Sequence, residues 1–301
     1  MTTPQSLSLL KNTIHRTTMN KTGILLRSVA LLTLISFHSN IYSQVNVIDF
    51  DSDKWTFIDA KKVDHLGRKA LMGTAYLKDV EFRNGIIELD MAVERKTSYP
   101  GVLFRMRSVR EHERFYIRPH RAGLYSDAIQ YVASFNGVDS WQLYNGPGKT
   151  AALEIPYQTW FHVKLEVKDA QARIFINNSD RPALFIAELQ YGASMGMIGL
   201  MGPVDGSAYY SNFSYKADDN LTLPSAPLAE QPLGIITDWE ISQVFKANEI
   251  DLENPPAGQA LDTVQWRKVK SLANGVVDVS RFHGRKGADA DCIFARTVFE
   301  R

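Results

Sequence analysis

FRNGIIELDMAV, residues 82–93, enters from the turn dipeptide Asn84-Gly85 and then alternates, with Ile87, Leu89 and Met91 on one parity and Ile86, Glu88 and Asp90 on the other. Alternation of period two behind an Asn-Gly turn marks a half-buried β-strand. The same pattern recurs outward along the chain in RFYIRPH, residues 114–120, where Phe115, Ile117 and Pro119 oppose Arg114, Tyr116, Arg118 and His120. Strands are expected at 85–93, 102–108, 114–120, 128–135, 140–144, 160–167, 172–176, 197–201 and 208–215. They are separated by Pro100-Gly101, Asn136-Gly137, Asn145-Gly146-Pro147-Gly148 and Asn177-Asn178. No window of helical periodicity rivals them, so this part of the chain is expected to be an all-β antiparallel sandwich.

Four segments follow from composition. Lys21 and Arg27 precede the apolar run 29–37, which gives way to small and polar residues up to Gln44; this is the order of a secretory signal, so residues 1–43 are assigned to a signal peptide cut after Ser43. The apolar stretch 24–37 contains Arg27 and falls short of the roughly 20 residues a bilayer span needs, so no membrane span is expected in the mature chain. The sandwich occupies 44–216. Residues 217–232 carry Pro224, Pro227 and Pro232 among small and acidic residues and are expected to be a linker. Beyond it, 233–301 is again β in character, at 235–245, 264–269, 275–279 and 292–299, but shorter than the ~100 residues a second sandwich usually takes. It is expected to be an incomplete second β-domain, whose strands pack on the first or offer an edge to a protein partner.

Charge and cysteine content remove whole classes of function. The 301 residues hold 34 Lys+Arg against 33 Asp+Glu, a net charge of +1, with no basic block to hold a polyphosphate, which argues against nucleic acid as a partner. The single cysteine, Cys292, excludes an intramolecular disulfide and a Cys-based zinc site, and leaves no cysteine after the signal for lipid attachment. A product free in the periplasm or outside the cell is the expectation. No Gly-x-Ser-x-Gly elbow and no phosphate-cradling glycine loop are present.

The run 82–90, then Gly101-Val102-Leu103-Phe104-Arg105, then 114–120, resembles the concanavalin A-like lectin/glucanase domains. Asp127-Ala128-Ile129-Gln130-Tyr131, Trp141-Gln142-Leu143-Tyr144, Trp160-Phe161-His162-Val163-Lys164 and Tyr209-Tyr210-Ser211-Asn212-Phe213 extend the resemblance to the laminin G-like domains, including those related to the 3-keto-disaccharide hydrolases. It spans roughly residues 45–215. It implies a jelly-roll sandwich and a glycan or polysaccharide partner; the fold hosts lectins, adhesion modules and hydrolases alike.

Two groups of residues bear on chemistry. Glu88, Asp90 and Glu94 have the spacing Glu-x-Asp-x-x-x-Glu, similar to the catalytic strand of family-sixteen glycoside hydrolases, and would share one strand face as nucleophile, helper and acid. The plainer reading is an acidic, solvated strand, since the tryptophan-rich context of that motif is missing. The second group is a polar and aromatic face: Arg105, Arg107, Arg114, Tyr116, Arg118 and His120, with Asp127, Gln130, Trp141 and Tyr144 beyond the intervening turns. Planar rings suit pyranose faces and fixed donors and acceptors suit hydroxyls, while arginines also suit a uronate or sulfate. A solvated antiparallel face would be polar without any ligand. The histidines are too scattered for a metal site; Asp49, Asp51 and Asp53 leave calcium open, although Lys54 stands where a calcium loop would place glycine. The leading expectation is a secreted carbohydrate-binding protein, with a glycoside hydrolase and an adhesion module as alternatives.

Overall fold

Leu66 and Gly67 both adopt positive φ, 45° and 74°, which is the geometry of a two-residue hairpin turn matched to strand twist. They join β2 (Trp55–His65) to β3 (Arg68–Phe82), the longest hairpin among the described residues, after the short β1 (Asn46–Val47). A computed structural model describes residues 44–225, 234–246, 248, 250–251, 262–272, 274–285 and 291–298; the expected signal segment and residues 226–232 of the expected linker lie outside them. Neither hairpin strand is among those expected from alternation. For β2 the reason is that it pairs only with β3 and turns Asp59, Lys61, Lys62 and Asp64 to solvent, as a charged edge strand does. β3 bends at Gly73, φ 96°, where a Cβ atom would stand 2.0 Å from the Asp59 carbonyl oxygen, so only glycine fits.

The remaining strands of this sheet are β4 (Gly85–Val93), β5 (Gly101–Ser108), β6 (Glu111–Ile117), β7 (Ile129–Phe135), β8 (Val138–Asp139) and β9 (Thr150–Ala151). They continue with β10 (Phe161–Lys168), β11 (Gln171–Ile176), β12 (Leu184–Ile186), β13 (Gly196–Met201) and β14 (Ala208–Ala217). Every registered pair is antiparallel, in the order β12-β11-β10-β4-β14-β3-β13-β5-β6-β7-β8. β14 and β3 share only the pair Tyr210–Leu71, so the ladder turns there and the sheet folds over into two layers as the expected jelly-roll sandwich. Leu71, Leu77, Phe82, Ile87, Leu89, Phe104, Phe115, Ile117, Val163, Leu165 and Tyr210 are buried between its layers.

Two expected strands are absent. Residues 140–144 curl instead into a 3-10 turn, Trp141–Leu143, because the side-chain amide of Gln130 donates to the carbonyls of both Trp141 and Tyr144. An extended chain would hold those carbonyls about 10 Å apart, beyond the reach of one amide nitrogen. Residues 275–279 likewise end in a 3-10 turn, Val279–Arg281, capped by Asp278, whose carboxylate accepts from the Ser280 N–H. The other C-terminal strands are β15 (Asp238–Ser242), β16 (Phe245–Lys246), β17 (Trp266–Lys270), β18 (Asp291–Cys292) and β19 (Ala295–Arg296). They form a three-stranded sheet, β17-β15-β19, and a two-stranded one, β16-β18.

The turn at 279–281 seats on the sandwich. Asn136 Nδ2 donates to the Ser280 carbonyl at 2.8 Å, Arg281 donates to the Gln190 carbonyl at 2.7 Å, and the Arg281 guanidinium lies 4.7 Å from the Phe135 ring centre.

Candidate functional site

Strand parity brings Arg114 and Tyr116 to the same side of β6, and Arg118 follows where the strand ends at Ile117. Pro119 then closes the ladder, since it has no N–H to give, and the chain turns through Pro119–Arg121. The result is a pocket of about 560 Å³ lined by Tyr99, Arg114, Tyr116, Arg118, His120, Arg121, Asp127, Asp139 and Trp141.

Its floor is a connected polar network, from which the Nε groups of Arg114 and Arg118 and Nδ1 of His120 are left without a hydrogen-bond partner among the described residues. Arg118 pairs with the Asp127 carboxylate, donates to the Tyr116 hydroxyl at 2.9 Å and to the Gln130 side-chain oxygen. Tyr116 in turn donates to that oxygen at 2.6 Å, and Gln130 passes the connection to the Trp141 carbonyl at 2.8 Å. Asp127 is held from its other oxygen by Arg121 Nε at 2.6 Å. Arg114 bridges Asp139, at 3.2 Å, and the Tyr99 carbonyl. Long side chains so tied have lost their rotamer freedom before any ligand arrives, which lowers the entropy cost of binding.

Above the floor stand the aromatic walls. Trp141 is 47% exposed and Tyr99 46%. Arg118 lies 5.2 Å from the Trp141 ring centre, while Arg114 sits 4.7 Å from that of Tyr116. Tyr99 meets Tyr116 and His120 edge-on, with ring centres 6.1 Å and 5.8 Å away. Burial, with Arg121 and Arg118 nearby, lowers the His120 pKa below its ordinary value, so the ring is neutral at pH 7. Burial likewise raises the Tyr116 phenol, which stays protonated.

Of the residues singled out in the sequence, Arg114, Tyr116, Arg118, His120, Asp127 and Trp141 line this pocket, and Gln130 and Tyr144 lie beneath it. Tyr144 is fully buried and its hydroxyl donates to Asp278 Oδ2 at 2.8 Å, so it supports the 141–143 turn from below rather than facing a ligand. Arg105 is elsewhere and also fully buried. The ladder of β5 shifts register between Phe104 and Ser108, and Arg105 takes φ 49° there, so a bulge breaks the alternation that would have turned it outward. Its guanidinium binds the carbonyls of Arg83 and Gly192, joining two loops. Arg107 is exposed against the Tyr191 ring, 4.8 Å away, outside the pocket. Tyr99, Arg121 and Asp139 are additions. Each sits at a turn or a two-residue strand, where parity gives no guidance.

The carboxylates of β4 form a separate cluster. Asp90 accepts from Arg68 at 2.5 Å, Asn212 at 2.7 Å and pairs with His162 Nδ1 at 2.9 Å; the other ring nitrogen of His162 stands 3.5 Å from Glu88. Burial works to raise the Asp90 pKa, but the bonds from His162, Asn212 and Arg68 outweigh it and leave the carboxyl below its ordinary value. Glu94 follows the end of the strand and accepts from Gln158 at 3.1 Å, apart from the other two.

Asp51 is taken by Lys62 at 2.7 Å, and among the described residues no three His, Cys, Asp or Glu side chains converge on a metal-sized site. Among the described residues no helix is long and apolar enough to cross a membrane. A second concavity, about 540 Å³, lies on β15, β17 and β19, where Lys270 pairs with Asp238 and Arg296 with Glu240.

No family model matches the sequence, and no curated protein matches it. Among solved structures the chain is similar to the carbohydrate binding module CBM66 from Bacillus subtilis, at 16% identity over 54% of this chain and 95% of that one, with a TM-score of 0.42. It is similar to a protein of unknown function with a galectin-like fold from Bacillus subtilis, at 12% identity over 54% of this chain and 89% of that one, TM-score 0.41. A third similarity is to the GH43 protein BlXynB from Bacillus licheniformis, at 11% identity over 55% of this chain and 32% of that one, TM-score 0.34. Likeness at this level transfers no residue role, so the functional reading has to rest on the pocket's own chemistry.

Proposed function

We propose that this chain is an exported glycan-binding protein whose pocket on β6 and the 118–141 connections receives one or two sugar units of a polysaccharide. The observation that carries the reading is the pairing of exposed aromatic faces, Trp141 and Tyr99, with a floor of arginines and carboxylates already bonded to one another. Pyranose rings present an apolar face for stacking and an equatorial rim of hydroxyls for fixed donors and acceptors. A pocket of about 560 Å³ is of the size that encloses a small ligand rather than a flat protein patch. Export rests on the signal character of residues 1–43. The test is a glycan array probed with residues 44–301, alongside a hydrolysis assay on every glycan bound, and N-terminal sequencing of the exported protein. Binding abolished by Trp141→Ala without loss of fold supports the proposal; binding unaffected by that change places the ligand elsewhere. Reducing-end release that depends on Glu88 or Glu94 would instead favour a glycoside hydrolase.

A further inference from the structure

The pocket carries an unbalanced charge. Three guanidinium groups, Arg114, Arg118 and Arg121, face two carboxylates, Asp127 and Asp139, and the imidazole between them is neutral at pH 7. The three arginines are not equivalent. Arg118 spends both terminal amino groups on Asp127, Tyr116 and Gln130, and Arg114 spends both on Asp139 and the Tyr99 carbonyl. Arg121 uses only Nε, on Asp127 Oδ1, and among the described residues its two terminal amino groups have no partner. Its side chain is 33% exposed against 10% for Arg114 and 6% for Arg118, and its guanidinium plane is steadied by the Tyr125 ring, 4.0 Å away.

We infer that the sugar bound here carries a single negative charge, a uronic-acid carboxylate or a sulfate ester, which pairs with the free terminal edge of Arg121 while the ring stacks on Trp141 or Tyr99. This rests on the glycan-binding reading above and narrows its ligand class. The physical reason is desolvation. A neutral sugar closing over the pocket would strip water from the Arg121 fork and return only weak hydroxyl bonds. An oxyanion replaces that water with two parallel charge-assisted bonds, in the geometry that guanidinium and carboxylate or sulfate share. Asp127, saturated by Arg118 and Arg121, cannot be displaced by the incoming anion without breaking two ion pairs, so it holds Arg121 in place rather than competing for it.

The experiment titrates the full mature chain with matched pairs of oligosaccharides by calorimetry at low and at moderate salt: uronate oligomers against their methyl esters, and sulfated galactan oligomers against their desulfated forms. The acidic member of a pair should bind at least tenfold tighter at low salt, the advantage should shrink as salt rises, and the pair showing it identifies carboxylate or sulfate as the anion. Arg121→Gln should bring the acidic-to-neutral affinity ratio down to about two or below, and Arg121→Lys, which keeps the charge but not the fork, should give an intermediate ratio. If the neutral member binds as well or better in every pair that binds, the charge inference is overturned and the glycan reading stands. If no member of any pair binds, the charge inference is overturned, and the glycan array decides the glycan reading separately.

Discussion

The Tyr144 hydroxyl donates to Asp278 Oδ2 at 2.8 Å across 134 residues of sequence, and both side chains are buried. Asp278 Oδ1 also accepts from Ser140, at 3.1 Å. The two residues that flank the Trp141 turn are therefore fastened to one carboxylate from the C-terminal part of the chain.

Tyr144→Phe should lower stability by about 1–3 kcal/mol, the usual cost of leaving one buried acceptor without its donor. It should also speed amide exchange in 140–145 and weaken glycan binding, because Trp141 rides on the loosened turn. Denaturant titration and hydrogen exchange followed by mass spectrometry check this; an unchanged exchange rate in 140–145 would show that the turn needs no such anchor.

Trp141→Ala and Arg118→Ala should separate binding from folding. Trp141 is half in solvent, so its removal should shift stability by less than about 1 kcal/mol while reducing glycan affinity about tenfold or more. Arg118 is buried and leaves Asp127, Gln130 and Tyr116 short of a donor, so its removal should cost about 2–3 kcal/mol as well as binding. For scale, Phe115→Ala in the core should cost about 3–5 kcal/mol. Thermal melts and calorimetry on the three variants decide the order.

His112 gives the protein an acid-side weakness. Burial lowers its pKa from 6.5 to about 4, so the folded chain keeps the ring neutral while the unfolded chain takes up a proton below pH 6.5. Its contribution is complete above pH 6.5, declines at about 1.4 kcal/mol per pH unit as pH falls, and levels off below about pH 4. His65 and His120 are shifted in the same direction and are less buried, so they add smaller terms. His112→Gln should remove close to one proton from the pH dependence of unfolding free energy between pH 6.5 and 4, whatever its effect at neutral pH. An unaltered slope in that window would count against a neutral buried ring.

Asp90→Asn should act on stability and not on the pocket. The carboxylate holds Arg68, His162 and Asn212 together across β3, β4, β10 and β14, and its lowered pKa means that this contribution is present above pH ~4 and lost as pH falls further. A loss of about 1–2 kcal/mol at pH 7 that shrinks as pH falls below about 4 is expected in denaturation curves. None of Asp90, Arg68, His162 and Asn212 lines the pocket or bonds to a residue that does, so glycan affinity should stay within about twofold.

Alternation of side chains is a property of neighbouring residues, and it carries a long way here. Ile87, Leu89, Phe115, Ile117 and Val163 are in the core as their parity requires, and Arg114 and Tyr116 share one side of β6 and line the pocket, whereas His120, Asp127 and Trp141 reach it from turns. Where that local rule is interrupted, only the assembled chain decides. The bulge at Arg105 sends a charged side chain into the interior, where two loop carbonyls receive it; nothing within a few residues of 105 specifies those carbonyls. β2 escapes notice because an edge strand has no inner face to demand apolar residues at alternate positions. The turn at Trp141 exists because Gln130 draws in two carbonyls and Asp278 grips the residues on either side. The local sequence SWQLY has the composition of a strand; its curled form is set by hydrogen-bond partners that lie 11 and 134 residues away, and those distances close only when the sandwich has folded.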